Sequence, residues 1–170
     1  MIKEKELSEV RPQIRIKDGA AIDLQQVQEA IQKNADKNGV PIAFRNDQVK
    51  FGGLIGGAVL DCLAVHHPEH EKDYSKLAII VKHQGNYAFV STFGFGESRL
   101  MGNQASHDYM VSAVKKGWKS NDDMDFAKAA GAVLGAGVRR VIKGGRDNQK
   151  LEEEQNWYAM VSDILDEIFS

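Results

Sequence analysis

The stretch LDCLAVHHPEHEKDY, residues 60 to 74, gathers His66, His67 and His70 beside the single cysteine, Cys62, and the acids Asp61, Glu69, Glu71 and Asp73. Imidazole, thiolate and carboxylate are the ligands of zinc and related divalent ions, which need three or four of them converging at about 2.0–2.3 Å. Period-two alternation puts Cys62 and His66 on one strand face and His67 on the other, with His70 able to fold back beyond Pro68. A metal held there would activate water for hydrolysis. His66, His67, His70 and Cys62 are therefore the candidate metal set, and a divalent ion is the one cofactor the chain suggests. The spacing matches neither HExxH nor CxxC. The simpler reading takes precedence: Pro68 ends a strand, and EHEKD is an exposed polar connection whose histidines titrate near their ordinary values.

Other chemistry is thinner. Ser106, His107 and Asp108 are neighbours in sequence, and a catalytic triad needs convergence in space instead. Cys62 sits beside Asp61 with no basic neighbour, so nothing lowers its thiol pKa. FGGLIGGAVLD lacks the lysine and hydroxyl of a phosphate loop. Its paired glycines, 52–53 and 56–57, read instead as a bulge, a sharp bend or a close backbone approach.

A basic run, RRVIKGGRDNQK, and the KKGWKS around Trp118 give local positive charge. A helix macrodipole favours cations at a C-terminus, and the acidic final helix argues against a nucleic-acid footprint. Trp118, Trp157, Arg139 and Arg140 are the residues placed to meet a protein partner or a second copy of the chain.

The elements that must position these groups follow from periodicity. Asp23 caps LQQVQEAIQKNADKN, whose Leu24, Val27 and Ile31 recur at helical spacing until Gly39. QIRIK after Pro12 reads as an edge strand. PIAF, a turn at Arg45-Asn46-Asp47, and the run from Gln48 to Val65 follow. KLAIIVK and NYAFVSTF flank His83-Gln84-Gly85 as a hairpin, read as a type I turn with a bulge at Gly85. That register sorts Leu77, Ile79 and Val81 with Tyr87 and Phe89, and the smaller residues onto the other face. Helices follow over 106–116 and 123–143, the second rich in Gly and Ala. A last helix carries an apolar stripe at Trp157, Val161, Ile164 and Ile168.

The expected fold is α+β: one domain over 1–170, strand-rich over about 40–96 and helical over about 104–170. A small antiparallel meander of four to five strands, with its central hairpin at 76–95, would lie under an N-terminal helix and about three C-terminal ones. With 22 basic and 24 acidic residues, a net charge of −2 gives no global pull to nucleic acid or membrane. No hydrophobic leader opens the chain, and a lone cysteine fits a reducing compartment, so a cytoplasmic protein is expected. The first function expected is a non-enzymatic intracellular binding protein, such as an adaptor, inhibitor or accessory subunit of the sort mobile elements encode. A metal-dependent hydrolase at His66, His67 and His70 is the alternative. The third is a small-ligand binder with a pocket between the sheet and the glycine-rich helix.

Overall fold

The computed structural model describes residues 1–53, 56–96, 98–99 and 145–169. In chain order they form β1 (Ile2–Lys3), a 3-10 turn (Glu4–Glu6), β2 (Ser8–Glu9), β3 (Ile14–Lys17), α1 (Leu24–Asn38), β4 (Ala43–Phe51), β5 (Ala58–His66), β6 (Lys76–Gln84), β7 (Tyr87–Phe95) and α2 (Gly145–Phe169). The strands make one sheet in the order β1-β4-β5-β6-β7-β2, with β3 also on β7. β1 runs parallel to β4 and every other pairing is antiparallel.

This corrects the expected four- to five-stranded antiparallel meander. The sheet has seven strands, is mixed, and curls into a half-barrel carrying two helices among the described residues. The extra strands come from the first nine residues, where β1 and β2 are two residues each. Strands so short carry no readable alternation. The helices expected over 106–116 and 123–143 lie outside the described residues.

The curl is visible in one contact. Phe51 on β4 and Phe93 on β7 have ring centroids 6.5 Å apart although two strands separate them. In a flat sheet those strands would lie roughly 14 Å apart, at about 4.8 Å per step. β1 and β2 occupy opposite edges of the sheet with only residues 4–7 between them, so the first nine residues bridge its open side.

Both faces are therefore covered. The concave face buries Ile2, Val49, Cys62, Ala64, Ala78 and Ile80, where small residues fit the tight curvature. The convex face packs Leu63, Val65, Leu77 and Ile79 against Ile31 of α1 and against Trp157, Val161 and Leu165 of α2. Trp157 is thus an interior residue, 2 % exposed, and its indole N–H donates to the Pro41 carbonyl at 2.6 Å. That corrects its expected role as a partner anchor: the stripe on α2 is used within the chain.

Two turns also differ from expectation. Gln84 pairs with Tyr87, so the hairpin closes on Gly85 and Asn86 alone, with φ positive (59°) at Gly85 only, as a two-residue II′ turn requires. Leu77, Ile79 and Val81 then share a face with Ala88 and Val90, one step from the expected register. Sorting large from small presumed a single buried face, and this sheet buries two. Arg45, Asn46 and Asp47 are interior to β4, and the turn falls instead on the glycines after Phe51. A Cβ at Gly57 would meet the Phe51 carbonyl oxygen at 2.4 Å, so that bend admits no side chain there.

Candidate binding groove

β5 is paired with β4 along its whole length, and β6 with β7 along its own. Between them, only Leu63↔Ile79, Ala64↔Ala78 and Val65↔Leu77 are joined. Both strands nevertheless continue, β5 back to Ala58 and β6 on to Gln84. The sheet forks there. The facing edges of 58–62 and 80–84 have no strand partner among the described residues, and unpaired backbone N–H and C=O groups are open to a further chain.

The start of α1 overhangs this fork. Asp23 accepts the Gln26 amide at 2.8 Å, which fixes the first turn, and Gln25, Gln28 and Glu29 from that end of α1 line the groove. Val27, Ile31 and Ala35 hold the opposite stripe in the core. The result is an open groove of about 1110 Å³. Its walls include Gln28 and Glu29 from α1, Asn46 and Gln48 from β4, Val59 and Asp61 from β5, and Val81 and His83 from β6. Gln48 donates to the Asp61 carboxylate at 2.9 Å, and Gln25 to Glu29 at 3.0 Å. The Nε2–H of His83 donates to the Ile22 carbonyl at 2.7 Å, tying the tip of β6 to the entry of α1. Val59 is 46 % exposed in this wall. Acids (Asp23, Glu29, Asp47, Asp61) and amides stand beside Leu24, Val59, Leu60 and Val81, an open trough of mixed polarity with an acidic excess, unlike the enclosed apolar pocket that suits a small ligand.

The histidine segment lies elsewhere, at the far ends of β5 and β6. His70 and Tyr74 stack at 4.3 Å and 6° between planes, and His67 packs edge-on against Tyr74 and Trp157 at 5.3 and 5.7 Å. His67 Nδ1 accepts the Glu69 amide at 3.1 Å. His67 and Tyr74 thus pack the turn onto α2, while Glu69 and Lys72 stay exposed as expected of a polar connection. Burial, reinforced by the neighbouring His70, holds the His67 imidazole below its ordinary pKa. His66 is buried near the end of β5, its Nδ1 3.2 Å from the His67 carbonyl. Cys62 is apart from all three, four residues back on the concave face, with its thiol pushed up to about 11 by burial and by Asp47. Among the described residues no group of three or more His, Cys, Asp or Glu side chains is arranged to hold a metal ion.

One buried acid accompanies the turn. Glu154 of α2 is fully buried and accepts the Ser75 amide at 3.2 Å and the Ser98 hydroxyl at 2.7 Å. Burial raises its carboxyl to about 7 against those two hydrogen bonds. It fastens the chain on both sides of the β6–β7 hairpin to α2.

Trp118, Arg139 and Arg140, and the pocket expected beside the glycine-rich helix, lie outside the described residues. The groove was not among the sites expected from sequence. Its one trace there is Asp61, the charge that interrupts the apolar run from Phe51 to Val65. The chain matches no protein-family model, no curated protein and no solved structure. No helix among the described residues is long and apolar enough to cross a membrane.

Proposed function

We propose that the chain is a non-enzymatic binding protein whose partner seats in the acidic groove beneath α1. The observation that carries this is the fork itself: two strand edges without a strand partner among the described residues, beside a half-exposed Val59, in a groove lined by Asp61 and Glu29. Exposed edges are ordinarily covered or shortened, because they recruit other chains. A cytoplasmic setting suits a chain whose single cysteine, Cys62, is free.

The experiment replaces Val59 with the photo-cross-linker p-benzoylphenylalanine, with Glu152, exposed on α2, as the control position. Irradiation in cells should give a discrete protein adduct from position 59 that position 152 does not give. No adduct at 59, or the same adducts from both positions, would remove the groove as a partner site.

A further inference from the structure

We infer that the occupant of the groove is an extended segment, added as a strand between β5 and β6, with basic and apolar side chains alternating along it. This rests on the groove being the partner site and goes on to the chemistry of what fills it.

Backbone comes first. The edges of 58–62 and 80–84 face one another across the fork, and β5 and β6 run in opposite directions. A strand laid between them pairs antiparallel with one and parallel with the other. The sheet already holds both kinds of ladder, β1 being parallel to β4. Main-chain hydrogen bonds supply affinity in strand addition, and the alternate side-chain positions supply selection.

The two faces of the fork then dictate the pattern. Residues of the inserted strand that point to the convex side meet Asp61, Glu29 and His83, so lysine or arginine is favoured there. Those that point to the concave side meet the lining that holds Cys62 and Ile80, so apolar residues are favoured there. Lys82, held 5.3 Å over the Phe51 ring, closes the concave mouth with positive charge and disfavours a basic residue on that side.

The probe is a fluorescein-labelled peptide alternating lysine with valine, about nine residues long so as to overhang both edges. Its comparators are the glutamate–valine peptide and two copies of the lysine–valine peptide, N-methylated at every lysine or at every valine. Methylation removes the amide donors on one side and leaves the charges in place. Anisotropy should show binding of the lysine–valine peptide, with each methylated form weaker by about tenfold, the scale of one or two net backbone hydrogen bonds. The glutamate form should not bind. Deuterium exchange should show protection of amides in 58–62 and 80–84 on binding. Equal binding of the methylated peptides would overturn strand addition while leaving a groove that reads side chains. Failure of all the peptides with a specific adduct at position 59 would overturn the basic strand but not the groove. Failure of both would overturn the two together.

Discussion

Glu154 is the residue whose burial has the clearest measurable consequence. Its carboxyl lies near 7 in the folded chain against 4.5 ordinarily, so between those values the folded state binds more protons than the unfolded one. Stability from this group is therefore greatest below about pH 4.5 and falls as pH rises toward 7. The shift corresponds to roughly 3 kcal/mol at 1.36 kcal/mol per unit. Glu154→Gln keeps the acceptor for Ser75 and removes the charge. We expect it to raise the urea midpoint at pH 8, by a stability gain of about 2–3 kcal/mol, and to change it little at pH 4.5. Equal effects at both pH values would refute the assignment. His67, its imidazole held below the ordinary range, slopes the other way: its contribution is lost as pH falls from its ordinary value through its folded value. The wild-type profile thus contains both, and the difference between wild type and Glu154→Gln isolates the acid. Cys62 gives a second test at this scale. With its thiol near 11 and 1 % exposed, it should resist Ellman's reagent at pH 8 in the native protein and react at once in urea. Rapid native reaction would contradict its place in the concave core.

Among the elements, α1 and α2 carry the convex core and β5 and β6 carry the fork. Asp23→Ala should cost about 1 kcal/mol through the lost cap on the Gln26 amide, and should disturb the groove wall with it. A change below a few tenths would mean that the cap does not hold that first turn. Amides of 58–62 that point away from β4 should exchange faster than those of 63–65, which are laddered on both sides. Uniform protection along β5 would mean that the fork is closed in solution. The elements differ in how much of them could be read from residues alone. α1 was legible from cap to cap, Asp23 to Gly39, because helix ends are written in local chemistry. The stripe on α2 was legible for the same reason, but its partner surface was not: a stripe says that something covers Trp157, not that Pro41 and Tyr74 do. The hairpin turn and the β4 interior were misread on different grounds. Alternation sorts residues for a strand with one buried face, and β6 buries both over 77–80. Arg45-Asn46-Asp47 are turn-type residues, and they lie on a stretch of β4 that is largely exposed, where strand and turn composition look alike.

At the scale of the molecule, the curl of the sheet makes both the core and the site. A half-barrel bridged at its open side by residues 1–9 brings Phe51 to Phe93, and β5 and β6 part beside the start of α1. None of this is local, and so none of it could be read along the chain: the groove joins residues 23–29, 46–48, 59–62 and 81–83. The histidine cluster shows the reverse case. It was the most conspicuous chemistry in one dimension, and in three it supports an aromatic contact with α2. Charge at the groove should govern association over a distance set by ionic strength, about 8–10 Å at 0.10–0.15 M salt.

Whether the groove is the place of binding can be decided by a single titration. The labelled lysine–valine peptide is titrated against wild type, Asp61→Lys, and Glu152→Lys as a control that changes net charge equally on α2. The account predicts an affinity loss of about tenfold or more for Asp61→Lys and little change for Glu152→Lys. Equal losses in the two variants would mean that the peptide answers only to overall charge, and would contradict a binding site in the fork.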